Sequence, residues 1–225
     1  MLFDIRSPGR RMAVKVIYSA LALLLGGGLI LFGIGSGVSG GGLFDAISGE
    51  SGSLSDDAFV KQAEKQEKFA AAHPTDAAAY AQLARLRFQS AEVDDEKGTF
   101  TSDGVKQLQL ADRAWQRSVK LNEDKPNLRV ANIMLSVYGP TGLNDPQKGV
   151  DTAQLIIDST RDPSRQQYAQ LSLFAYLAQD ERLGKLAGDR AIALADPDDR
   201  EQTKAAIEQY KQAGTEAATQ TTPAQ

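Results

Sequence analysis

The chain contains no cysteine and a single histidine, His73. The first absence excludes disulfides, thiolate nucleophiles, sulfur-ligated metals and lipid attachment at a mature N-terminal cysteine. The second excludes a cluster of histidine ligands. His73 itself stands before Pro74 and reads as an exposed turn residue rather than a general base. No phosphate-loop signature of Gly, four residues and Gly-Lys-Ser/Thr occurs. No segment alternates apolar and polar residues with period two over a useful length, so a sheet domain is excluded. Charge is missing altogether from residues 16–35, VIYSALALLLGGGLILFGIG, and no basic residue occurs between Lys15 and Lys61.

Those last two absences point to a membrane. Twenty helical residues span roughly 30 Å, the thickness of a bilayer's hydrocarbon core. The head, residues 1–15, carries Arg6, Arg10, Arg11 and Lys15 against Asp4, a net of +3 that suits an anionic membrane surface. With all this basic charge on one side, the positive-inside rule keeps the N-terminus cytoplasmic and exports the chain beyond the span. A cleaved signal peptide has the same order of regions, but its apolar part usually runs only about 7–15 residues. The run here is longer, so the expectation is a retained single-pass anchor in the plasma (inner) membrane with an extracytoplasmic C-terminal domain. Gly33 and Gly37 form a small-xxx-small pair that suits packing against other membrane helices. The plainer reading is the ordinary frequency of glycine in such helices. Residues 36–55 form a Gly/Ser-rich linker, interrupted by the short apolar patch of Leu43, Phe44 and Ile47.

About 170 residues remain, enough for one domain with its own core. Subtracting the head's four basic residues and one acid from totals of 25 and 29 leaves 21 basic and 28 acidic residues, a net of −7. An acidic body of this kind argues against a nucleic-acid partner. From Asp56 onward apolar residues recur at steps of three and four, and eight helices are expected. The first is capped by Ser55 or Asp56 and uses Phe59, Ala63, Gln66 and Ala70; the second is capped by Asp76. A polar stretch at 92–103 precedes a third with Leu108, Ala111, Trp115 and Val119 in line. The fourth covers 128–138 and is followed by the turn sequence GPTGLNDP. Four more are marked by Val150, by Tyr168, by Leu183 and by Thr203. Composition closes the helical domain at 213 and leaves 214–225 as a disordered tail.

The segment Pro74-Thr75-Asp76 through Tyr80, Leu83 and Ala84 resembles the start of a tetratricopeptide repeat, in which a proline closes one repeat and a bulky aromatic opens the next helix. Ala111, Trp115, Ser118 and Leu121 resemble that repeat's second helix. A second pair begins at Pro126, with Asn132 where the aromatic belongs and Leu135 and Ser136 kept. A third begins at Pro163, with Tyr168 one place early, then Leu171 and Ser172, and Ala187 and Ala191 in its second helix. The connection at 90–103 is far longer than a standard repeat allows. The resemblance implies an all-α fold, an N-terminal transmembrane helix followed by a TPR-like array of antiparallel hairpins over residues 56–213. It also implies a concave face, lined by the first helix of each pair, that holds protein or extended peptide clients. On this sequence that face comprises Arg85, Gln89, Asn132, Gln167 and Gln170. Anchored domains of this kind resemble accessory factors of secretion and envelope assembly.

Little else invites chemistry. Asp94, Glu96, Gly98 and Asp103 imitate parts of a calcium loop without its spacing and read as a solvated acidic loop. Asp196, Asp198 and Asp199 read as helix caps. Lys61, Lys65 and Lys68, interspersed with Glu64 and Glu67, read as a solvated helix face. The apolar helix faces carry no isolated acid, so no catalytic, cofactor-binding or metal-ligating residue is nominated. The alternatives are a cell-wall-active enzyme of helical fold, which needs a poised carboxylate in a cleft, and a self-associating structural membrane protein.

Overall fold

The computed structural model describes residues 56–94 and 98–221. The expected membrane span at 16–35, with Gly33 and Gly37, lies outside the described residues. Among those described, no helix is long and apolar enough to cross a membrane. The described chain is mostly α-helical: α1 (Asp56–Ala72), α2 (Ala77–Gln89), α3 (Ser102–Leu121), α4 (Leu128–Tyr138), α5 (Pro146–Asp158), α6 (Arg165–Leu177), α7 (Glu181–Ala193) and α8 (Arg200–Thr221). A short 3-10 turn at Pro197–Asp199 leads into α8.

The helices begin where polar side chains satisfy their first free N–H groups. Asp76 accepts from the N–H groups of Ala78 and Ala79, Thr101 from Gly104, Asn127 from Val130 and Asp180 from Leu183. Asp145 caps α5, whose first residue is Pro146, the one position where the missing N–H costs nothing. The acids before α8 behave differently from the expected caps. Asp196 makes no capping bond, and Asp199 instead accepts from Arg165 of α6 at 2.9 Å.

Two features depart from the sequence expectation. The stretch at 92–103 holds a small antiparallel hairpin, Val93–Asp94 against Thr99–Phe100, with Val93 opposite Phe100. Gly98 turns it at φ +63°, in the left-handed region that glycine enters without steric cost. Two-residue strands are too short for a period-two pattern to reveal. The second departure is α8, which continues past 213 to Thr221. Gly214 lies so close to Tyr176 that a Cβ there would overlap the Tyr176 carbonyl, and Gln179 donates to the Gly214 carbonyl at 2.7 Å. Composition cannot register a tertiary contact of that kind.

Packing is repeat-like. The helices pair in sequence as α2 with α3, α4 with α5 and α6 with α7. Each first helix also meets another element: α2 packs on α1 and α4, and α6 on α5 and α8. Leu83, Ala111 and Trp115 share one core with Tyr80 packed against it. Small residues permit the close approaches. Gly149 of α5 faces the Phe174 ring, Gly184 of α7 the Tyr176 ring, and Gly188 of α7 the Ile207 side chain. A second core joins Ala169, Leu173 and Tyr176 of α6 to Ala191 of α7 and to Ala206, Ile207 and Tyr210 of α8. The outer helices α1 and α8 turn mainly charged and polar residues outward, as terminal caps of a stacked array do.

Trp115 is 1 % exposed and Phe174 2 %, which fixes the cost of disturbing either. Trp115→Ala is expected to lose about 3–5 kcal/mol of unfolding free energy in urea titrations. Gly149→Ala drives a methyl group into a ring that has no room to move and should cost about 1–3 kcal/mol. A neutral Gly149→Ala would show that α5 and α6 stand further apart than described.

Candidate functional site

The partner face expected from the sequence falls on α2, α4 and α6. At about 100° per residue, Gln82, Arg85 and Gln89 lie within one narrow arc of α2. All three are half-buried, flanked by buried Leu86 on one side and Ala81 on the other, while Leu83 and Ala84 face away from the arc. The Nε of Arg85 is enclosed and has no hydrogen-bond partner among the described residues. Arg87 Nε is enclosed and unpartnered in the same way, and an enclosed donor left unpaired costs about 1–3 kcal/mol.

The other expected residues are partly committed to the fold. Asn132 of α4 donates to the Leu128 carbonyl of its own helix at 2.7 Å. Gln167 forms the capping box of α6: its Oε1 accepts from the Ser164 N–H at 2.7 Å, while Ser164 Oγ accepts from the Gln167 N–H. Its Nε2 donates to Thr160 Oγ1 at 3.3 Å. Gln170 is half-buried one turn further on. The five residues do not line a single seam of adjacent helices. α2 and α4 touch, whereas α6 packs on α5, α7 and α8.

Two polar clusters were not read from the sequence. Arg87 of α2, 6 % exposed, donates to Glu67 of α1 at 2.6 Å and to Gln107 of α3 at 3.0 Å. Three helices are thereby tied at one point. Arg85, two residues earlier, points elsewhere, because helical residues two apart diverge by about 200°.

The second cluster joins α3, α4 and α5. The Tyr138 hydroxyl donates to Asp112 Oδ1 at 2.7 Å and accepts from Gln116 Nε2 at 3.2 Å. Lys148 donates to Asp112 Oδ2 at 2.8 Å and lies 3.4 Å from Asp145. The side chain of Asp112 is 14 % exposed, so an acid does stand at the border of an apolar helix face. It was missed because it sits at the edge of the stripe formed by Leu108, Ala111 and Trp115. Both carboxylate oxygens are engaged, and the hydrogen bond from Lys148 to Asp112 raises the pKa of that ammonium. Burial, followed by the bond to Asp112, holds the Tyr138 phenol far above its ordinary range.

The pairs also share a surface pattern. An arginine of the second helix covers the aromatic that opens the first: Arg117 lies over Tyr80 at 5.9 Å, and Arg190 over Tyr168 at 5.8 Å. Asn132 interrupts the pattern in the middle pair. His73 stacks on Phe69 with centroids 4.2 Å apart, and its Nδ1 lies 2.8 Å from the Phe69 carbonyl oxygen. In the acidic loop, Asp103 is fully exposed and pairs with Lys106, which lowers its pKa. Glu96 lies outside the described residues. Among the described residues, no group of three or more His, Cys, Asp or Glu side chains could hold a metal ion. No family model, curated protein or solved structure matches the chain.

Alkaline titration tests the two buried phenols. Burial raises Tyr210 from 10.0 to about 12, and Tyr138 is raised as well. Above pH 10 the unfolded chain releases these protons while the folded chain keeps them. Stability is therefore whole below pH 10 and falls as the pH rises through the folded values. For Tyr210 the two-unit shift corresponds to about 2–3 kcal/mol lost by pH 12. Tyr210→Phe should flatten that decline in urea midpoints measured from pH 9 to 12. An unchanged slope would place the Tyr210 hydroxyl in water.

Proposed function

We propose that the chain is a membrane-anchored protein-interaction module that presents a TPR-like helical domain on the extracytoplasmic side and holds extended peptide or protein clients. The uncharged run at 16–35 and the one-sided basic head support the anchor and its orientation. The repeat-like pairing of α2 to α7 supports the TPR-like reading. The observation that carries the binding reading is the half-buried arc of Gln82, Arg85 and Gln89 on α2, none of whose side chains makes a hydrogen bond among the described residues. A peptide carbonyl is the acceptor that any extended client supplies, whatever its sequence. Gln82 and Gln89 flank Arg85 with groups that both donate and accept. The client face is centred on α2 and α4, with Gln167 kept as a cap and Gln170 as an outlying contact. Within the envelope, such a module serves as an accessory factor of secretion or envelope assembly.

Arg85→Leu separates binding from folding. It removes a donor that the fold leaves unsatisfied, so unfolding midpoints should hold or rise slightly. Capture of clients, measured by crosslinking from the domain in intact cells, should fall several-fold. Undiminished capture by Arg85→Leu, with loss on changing the exposed face of α5, would move the site off α2.

Protease added to intact spheroplasts is expected to digest the domain and leave a small fragment held by the membrane. A soluble domain in the periplasm or medium, with a new N-terminus near residue 40, would show that the apolar run is a cleaved signal.

A further inference from the structure

The acidic body carries one surface of the opposite sign. Beyond Asp103, the exposed side chains of α3 are Lys106, Gln109, Arg113, Gln116, Arg117 and Lys120. At about 100° per residue all six fall within an arc of roughly 100°, so they make one stripe about 21 Å long. That stripe lies opposite Leu108, Ala111, Trp115 and Ser118, which are buried, and Ser118 donates to the Ala77 carbonyl of α2. Lys106, Arg113 and Lys120 therefore point away from the helix that carries Arg85, while Arg117 reaches back over Tyr80.

Most of their charge is not neutralised within the domain. Lys106 pairs with exposed Asp103, and Arg117 donates to the Pro74 carbonyl, an uncharged acceptor. Arg113 and Lys120 are exposed and make no ion pair among the described residues. Glu123 and Asp124 lie in the loop after α3, past the end of the stripe.

The stripe also begins near the tether. Only residues 73–76 connect α1 to α2 and the two helices pack on each other, so α1 runs antiparallel to α2. Gln107 meets Arg87 and Ser118 meets Ala77, so α3 is antiparallel to α2 too. α1 and α3 therefore start at the same end of the array, the end where the linker at 36–55 joins the domain. That linker reaches on average about 25 Å, comparable to the length of the stripe.

We infer that α3 docks the domain on the bilayer, its basic stripe lying along a surface of anionic lipid headgroups. The inference rests on the anchor at 16–35. The charge complementarity is with the lipid, because the rest of the domain is acidic and would be repelled by the same surface. Each unpaired cation near an anionic membrane strengthens association about fivefold, and Arg113, Arg117 and Lys120 lie on one arc. Screening by salt should release the contact.

The absence of cysteine makes single labels clean. The full chain carrying Gln109→Cys on α3, or Gln154→Cys on α5, is labelled with a fluorophore and reconstituted into phosphatidylcholine vesicles with or without phosphatidylglycerol. Quenching by neutral acrylamide at position 109 should fall at least twofold when phosphatidylglycerol is present. It should recover in 0.5 M salt (a Debye length of about 4 Å) and in the exposed double variant Arg113→Glu/Lys120→Glu, with position 154 unaffected. Equal quenching at 109 on both lipids overturns the inference. So does protection that appears only on adding soluble polyglutamate, which would assign the stripe to an acidic protein. Release of the chain from neutral vesicles by alkaline carbonate would overturn the anchor instead, and the label on anionic vesicles judges the stripe separately.

Discussion

Phe174 occupies space that a hydrogen at Gly149 leaves open, and the arrangement of the array depends on such close approaches. Gly149, Gly184 and Gly188 each face a side chain that a methyl group at that position would displace. Ala111, fully buried beside Trp115, does the same for α2 and α3. A glycine within a helix costs about 1 kcal/mol in propensity relative to alanine, so its presence there must be offset by packing. Here the offset is the burial of Phe174 and Tyr176, large rings that dominate the interfaces of α6 with its neighbours. α6 is consequently buried on two sides, with Leu171, Phe174 and Ala175 in one core and Leu173 and Tyr176 in the other.

Hydrophobic contact brings the helices together but does not by itself fix their register, since an apolar stripe can slide. The polar clusters supply that constraint. Arg87 reaches Glu67 and Gln107 from one guanidinium, and Asp112 engages Tyr138 and Lys148 with separate oxygens. A shift of one turn in α1, α3 or α5 would break at least one of these bonds and leave its partner enclosed. Partly buried pairs like these contribute little net stability, because desolvation offsets much of the attraction. Their effect is to make alternative registers costly. Gln179 does this for α8: held in a left-handed conformation at φ +63°, it donates to the carbonyl of Gly214.

The sequence was legible wherever local rules decide structure. Period and capping placed α1 to α7, because Asp76 and the prolines at 74, 126, 146, 163 and 197 act within one or two turns of themselves. The pairing of Tyr80 and Leu83 with Ala111 and Trp115 is what the resemblance to a repeat's two helices implies, and these residues do share one core. What escaped depends on contacts between distant residues. The end of α8 is set by Tyr176 and Gln179, and Asp199 is drawn from capping by Arg165, 34 residues earlier. Of the candidate site, helix membership could be read but commitment could not. Nothing in the string distinguishes Gln167, which closes a capping box, from Gln89, or Arg87, whose terminal nitrogens reach Glu67 and Gln107, from Arg85 two residues before it.

That contrast bears on how such a domain could work beside a membrane. On the proposed reading, a domain tethered through residues 36–55 would present its client face to the bilayer as often as to the clients unless something orients it. A second contact is needed to orient it, and a weak one is enough, since the anchor already supplies a high local concentration. The charges of α3 meet that need: they lie opposite the α3 face that packs on α2, on a body otherwise acidic. In the proposed docking, with α3 against headgroups and α2 on its far side, the arc carrying Arg85 would be held clear of the lipid. In that proposal the acidic remainder of the domain is repelled by the same headgroups, so attraction and repulsion favour one orientation.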